Sequence, residues 1–153
     1  MEKEANIDTD LYSRQIGTFG MDIMSKLLKL KVLIIGMRGL GVETAKNIIL
    51  CGSYSVDLYD PNPVKVNDLG SNFYLSSDDI NKKNRDEACL KNLSALNPSV
   101  KVSILKLNST IYSEEYIQEF CDKIPNYNII VFTEIQPKHY NFEVILTNEN
   151  ILA

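Results

Sequence analysis

The stretch KVLIIGMRGLGVETAKN, residues 31 to 47, limits what this chain can fold into more than any other. Val32 to Ile35 form an unbroken apolar run that ends at Gly36. Past Gly39 and Gly41, apolar residues return at helical spacing as Val42, Ala45, Ile48 and Ile49, and Gly52 follows as a stop. An apolar run of this length predicts a strand covered on both faces, and the glycines then open a helix through Leu50. A doubly covered strand running straight into a helix needs further parallel strands beside it, reached by right-handed crossovers. The expected fold is therefore α/β: a Rossmann-like three-layer domain with a mostly parallel sheet.

The rest of the chain supplies the repeats of that unit. MDIMSKLLKL, with Ile23, Met24, Leu27 and Leu28, predicts a short amphipathic helix ahead of the first strand. SVDLYD predicts a second strand ending at Asp60, and PNPVKVNDLGSN holds too many turn formers to be regular. A helix is expected from about Lys83 to Leu96, with Cys89, Leu93 and Leu96 on one face, closed by Asn97-Pro98. SVKVSILKL then alternates Val100, Val102 and Ile104 inward with Lys101 and Ser103 outward, as a third strand. Ser113 caps a helix carrying Ile117, Phe120, Cys121 and Ile124, and NIIVFT is a fourth strand. A helix after Pro137 and the start of a fifth strand at NENILA complete the expectation. The sheet is thus expected to be truncated at its C-terminal strand, with residues 1–10 a flexible N-terminus and 11–153 the front of a longer chain.

Composition excludes several classes of function. A formal net charge of -4 with scattered basic residues argues against a nucleic-acid partner. No apolar run approaches the roughly 20 residues of a membrane span, and the acidic start is neither a secretory signal nor a transit peptide, so an intracellular protein without a membrane partner is expected. Three cysteines without C-x-x-C spacing, Cys51, Cys89 and Cys121, predict buried free thiols and no metal site.

A strand, a glycine turn and a helix N-terminus make an anion site, because unpaired N–H groups and the helix dipole converge there. The dinucleotide version needs three glycines, for the tight turn, for approach of the pyrophosphate and for helix packing. Those positions hold Gly36, Arg38 and Gly41. Arg38 brings a long side chain to the contact position, and Gly39 beside it compensates only by shifting the turn. The phosphate-loop pattern fails as well, since Val42 stands where its lysine belongs. Asp60 occupies the strand end where an acidic residue accepts ribose hydroxyls, although a turn aspartate before Pro61 has the same appearance.

With YSRQ ahead of the helix, GMRGLGVETAKNIIL after the first strand and DLGSNFYL after the second, the chain resembles the ubiquitin-activating enzymes, within the ThiF/MoeB-like superfamily. More narrowly, it resembles the N-terminal, inactive adenylation half of the single-chain enzyme, from about Leu11 onward. The resemblance implies a pseudo-dimer of two Rossmann-like halves. One half adenylates the C-terminal glycine of ubiquitin with Mg·ATP, and a cysteine of another domain then takes the ubiquitin as a thioester. Ubiquitin and ubiquitin-conjugating enzymes are the implied further partners, in the cytoplasm and nucleus.

The same resemblance sorts the residues. Active halves carry N-R-Q-F after the second strand, where this chain has Gly70, Ser71, Asn72 and Phe73. A guanidinium at the phosphates has become the hydroxyl of Ser71. Active halves also place a magnesium-binding aspartate after the fourth strand, where this chain reads Thr133, Glu134, Ile135 and Gln136. Gly36, Gly39, Gly41 and Asp60 are then the vestige of a nucleotide site, no metal is expected, and neither ATP nor Mg is expected to bind this chain tightly. The arginine of Y-x-R-Q, here Arg14, is implied to act in trans at the partner half's ATP. Two alternatives stand beside this reading: the small subunit of a SUMO- or NEDD8-activating heterodimer, and a dinucleotide-binding oxidoreductase domain that tolerates Arg38.

Overall fold

The computed structural model describes residues 8–107 and 114–133. Two short helices, α1 (Ser13–Phe19) and α2 (Met21–Leu27), lead into β1 (Lys31–Ile35), α3 (Gly39–Leu50) and β2 (Ser55–Tyr59). A 3-10 turn over Val66–Gly70 precedes α4 (Arg85–Ser94), β3 (Lys101–Ile104), α5 (Glu114–Lys123) and β4 (Ile129–Phe132).

The four strands form one parallel sheet in the order β3-β2-β1-β4. Alternation along β1 divides the core in two. Val32 and Ile34 face α3 and α4, where Val42, Ala45, Ile49, Val56, Leu58, Cys89 and Leu93 are buried with them. Leu33 faces the other way, onto Tyr59, Leu105, Phe120 and Ile124. A strand whose successive side chains are both buried needs apolar residues at every position, which is why KVLII carries no alternation. On the α5 side a mid-strand carboxylate, Asp57, is satisfied by the hydroxyls of Ser103 and Tyr127, the latter donating at 2.7 Å.

The observed α/β architecture is the expected one, with local differences. The helix expected over residues 21–30 is α2, ending at Leu27, and an unpredicted helix, α1, precedes it, separated from it at Gly20 (φ 80°), a left-handed value through which no α-helix continues. The 61–72 stretch, expected to be irregular, includes the 3-10 turn, pinned where Lys65 N–H donates to Asp68 Oδ2 at 2.8 Å. Helix α4 starts two residues later than expected, because Asn84 is extended and Glu87 reaches back to its N–H. Ser103, expected to face outward, is half-buried on Asp57. Of the three cysteines expected to be buried, Cys89 is, Cys121 is half-buried and Cys51 is exposed at the end of α3. The Ser113 cap, Glu134, Gln136, the helix after Pro137 and the fifth strand lie outside the described residues. Among the described residues no helix is long and apolar enough to cross a membrane, and no cluster of His, Cys, Asp or Glu could hold a metal ion.

Candidate functional site

The chain moves outward from β1 to β2 and β3, then returns to add β4 on the other side of β1. This reversal opens a crevice at the carboxyl ends of β1 and β4, the place where open α/β sheets bind ligands. The glycine turn lies there. Gly41 packs so closely on the strand end that an added Cβ would sit 1.9 Å from the Gly36 carbonyl oxygen and 2.8 Å from Thr133 Oγ1. Thr133, at the end of β4, seals that side by donating its hydroxyl toward Ile35 O (3.0 Å) and Gly36 O (2.9 Å).

The side chains around the turn are engaged with one another. Asp60, just past β2, is buried; its Oδ2 accepts Met37 N–H from the turn at 2.9 Å, and its Oδ1 accepts from Asn62 N–H and Nδ2. Arg85, in the first turn of α4 and also buried, donates Nε to Asp68 Oδ2 at 2.7 Å. Its second arm lies 3.3 to 3.4 Å from the Asp60 carboxylate. Arg38 crosses to the same aspartate, with Nε 3.2 Å from Asp68 Oδ1. Ser71 abuts Gly39, where an added Cβ would meet Ser71 Cβ at 2.9 Å and Ser71 O at 3.0 Å. Asn72 Nδ2 ties this segment to the turn by donating to Met37 O at 2.8 Å.

One group in the network carries an electrostatic cost. Asp86 Oδ2 accepts Asp60 N–H at 3.0 Å and its Oδ1 accepts Glu87 N–H. Burial nevertheless pushes its pKa up to about 6, since the two N–H bonds do not offset desolvation and the charges of Asp60 and Glu87 add to it. A raised acid pKa stabilises the fold fully below the unfolded value near 4, and that contribution is lost as pH rises through about 6. At neutral pH the cost is on the order of 2 to 3 kcal/mol. Asp86→Asn is therefore expected to flatten the decline in urea midpoint between about pH 4 and pH 7. An unchanged slope in the variant would mean that folding does not raise the pKa of Asp86.

The residues singled out from sequence do not form one cluster. Gly36, Gly39, Gly41, Arg38, Ser71 and Asp60 lie together around the glycine turn. Arg14 is elsewhere, exposed in the first turn of α1, where Thr18 Oγ1 donates to its backbone carbonyl at 2.9 Å. The start of α1 rests against Gly52, past the far end of α3, about 18 Å along a helix of that length from Gly39. Sequence reasoning missed Asp68 and Asp86 and left Arg85 without a role. The available signal was a basic residue and an acidic one opening a helix directly after a loop containing a further aspartate.

The ThiF family model matches residues 12–133. Ubiquitin-like modifier-activating enzyme 6 of Homo sapiens is 43% identical over 131 residues, covering 85% of this chain and 12% of that protein. Ubiquitin-activating enzyme E1 2 of Arabidopsis thaliana is 48% identical over 118 residues, covering 76% and 11%. The chain thus spans about a tenth of the length of these relatives. Among solved structures, E. coli tRNA N6-threonylcarbamoyladenosine dehydratase superposes with a TM-score of 0.78 at 11% identity, over 97% of this chain and 60% of that one. The same enzyme in complex with AMP superposes with a TM-score of 0.77. The chain therefore belongs to the ThiF family, and its ThiF-like region is similar to that of ubiquitin-activating enzymes.

Proposed function

We propose that this chain is the non-catalytic adenylation-type half of a ubiquitin-activating enzyme. It pairs with an active half that adenylates the ubiquitin C-terminus and lends Arg14 to that half's ATP. A fold relative solved in complex with AMP supports a nucleotide role for this architecture. One observation carries the departure from it: the glycine turn here is occupied by the protein's own groups. Asp60, the candidate ribose acceptor, is spent on Met37 N–H, Asn62 and Arg85. Arg38 is drawn onto Asp68, and Ser71 fills the space against Gly39.

These residues do not fit a triphosphate. Among the described residues of the crevice, both guanidiniums already face carboxylates, so neither adds net positive charge for phosphate oxygens. ATP and Mg in this reading are held by the active half alone, and ubiquitin and ubiquitin-conjugating enzymes act on the longer protein, in cytoplasm and nucleus. Arg14, exposed and remote from its own turn, is available to a neighbour.

Calorimetric titration of Mg·ATP into the chain tests the non-catalytic part. No binding in the micromolar range is expected, and Arg38→Gly is expected to leave that result unchanged, because Asp60 and Ser71 remain in place. Micromolar affinity in the unaltered chain would overturn the reading.

A further inference from the structure

A seven-residue helix is too short to hold its own shape in water, and α1 contains no buried residue. Its position must be imposed from its ends. At one end it joins α2 through Gly20. At the other stands Tyr12, whose carbonyl accepts Ile16 N–H to begin the helix at 2.8 Å and whose ring is buried.

The slot for that ring is built from two other helix ends. Gly52, one residue past the cap of α3, has φ +85°, and a Cβ there would lie 2.6 Å from Tyr12 Oη and 2.7 Å from Cζ. Glycine at this position therefore does more than stop α3; it leaves the volume that the ring fills. Asn97, buried beyond α4, donates Nδ2 both to Tyr12 Oη at 3.0 Å and to Ile49 O at 3.1 Å. Its Oδ1 accepts Ser99 N–H, which fixes the amide's orientation. Tyr12 is thus clamped to the ends of α3 and α4, two residues before Arg14.

We propose that Tyr12, with Gly52 and Asn97, is a positioning lock for Arg14, holding α1 so that the guanidinium is presented at a fixed place and angle. This rests on the role of Arg14 proposed above. A positioned charge is effective at a developing phosphate charge only while its geometry is fixed, and a displacement of about 1 Å can cost on the order of 10²-fold in rate. Tyr12 touches no reacting atom and acts only through α1.

The test uses the full-length protein, with single-turnover adenylate formation from ATP and ubiquitin as one readout and trypsin cleavage after Arg14 as the other. Arg14→Ala is expected to slow adenylate formation on the order of 10²-fold. Tyr12→Ala is expected to slow it at least about 10-fold, to accelerate cleavage after Arg14, and to add no further loss in the Arg14→Ala background. Tyr12→Phe keeps the ring and is expected to retain most of the rate. Gly52→Ala approaches the lock from the other side and should reproduce Tyr12→Ala in the cleavage assay. A wild-type adenylation rate in Tyr12→Ala beside a slow Arg14→Ala would overturn the lock, as would full additivity in the double variant. An unchanged rate in Arg14→Ala would instead overturn the reading beneath it. Cleavage rates in Tyr12→Ala equal to wild type would then exclude even a structural hold on α1.

Discussion

Gly41→Ala is expected to cost about 4 kcal/mol or more, a large share of the roughly 5–15 kcal/mol that holds a domain of this size together. The new methyl would meet Gly36 O at 1.9 Å and Gly36 C at 2.8 Å, both backbone atoms that move only if β1 and α3 separate. Thr133 Oγ1, at 2.8 Å, is held in turn by its bonds to the same carbonyls. Overpacking of this kind spreads, because the displaced helix carries Val42, Ala45 and Ile49 out of the core. Gly70 is the control: nothing lies within 4 Å of an added Cβ, so Gly70→Ala should shift stability by less than about 1 kcal/mol. Urea midpoints of the two variants check the contrast, and an unchanged midpoint in Gly41→Ala would mean that the turn is looser than described.

Arg85→Met is expected to cost about 3–5 kcal/mol at neutral pH, since it leaves Asp60 and Asp68 buried without their shared cation. Two forces act on Asp68 in the native chain. Burial opposes its ionisation, but the hydrogen bonds from Arg85 and Lys65 N–H, with the charges of Arg85 and Arg38, outweigh it and hold the pKa below the ordinary aspartate value. A depressed acid pKa gives stability that is present above the unfolded value near 4 and lost as pH falls through the lower native one. In Arg85→Met the hydrogen bond and charge of Arg85 are lost while the burial stays, so Asp68 takes up a proton more readily when folded and the variant regains stability on acidification. The gap between the two proteins should therefore narrow between about pH 7 and pH 4. Urea midpoints measured across that range read the gap, and a constant difference would assign the loss to packing alone. Arg85→Lys should fall between, because an ammonium cannot span Asp60 and Asp68 as the planar fork does.

These two sites divide what the sequence showed from what it hid. β1, the glycine turn and α3 were legible because each depends on local chemistry: an apolar run, glycines where Cβ atoms would collide, and an apolar stripe at helical spacing. The Arg85 network was not. Its members are 17 and 25 residues apart, and charged residues in a loop and a first helical turn look solvated until the fold brings them together. Asp60 was found at the right strand end, but its direction was not, since nothing in the order of residues says that its oxygens turn inward to Met37 and Arg85. Helix α1 escaped for the opposite reason. SRQIGTF has no apolar stripe because none of its side chains is fully buried, and Tyr12, which holds it, acts through Gly52 and Asn97 far along the chain. The glycine at 52 was visible as a stop, whereas its second task needed the tyrosine ring in view.

The central place of β1 in the sheet has a consequence for how the chain folds. Its partner on one side, β2, follows after a single helix, but its partner on the other, β4, is reached only after a span such as the 97 residues between Lys31 N–H and the Asn128 side chain that accepts from it. Closing so long a loop is slow in comparison with forming the helices and the β1–β2 pair. During synthesis the β1, β2 and α3 unit is exposed to solvent well before Ile129 to Phe132 leave the ribosome. One edge of β1, lined with unpaired N–H and C=O groups, waits throughout that interval. Such an edge pairs with whatever strand arrives first. The yield of native protein is thereby set by a race between β4 and other chains, and dilution or slower encounter between nascent chains favours the native outcome.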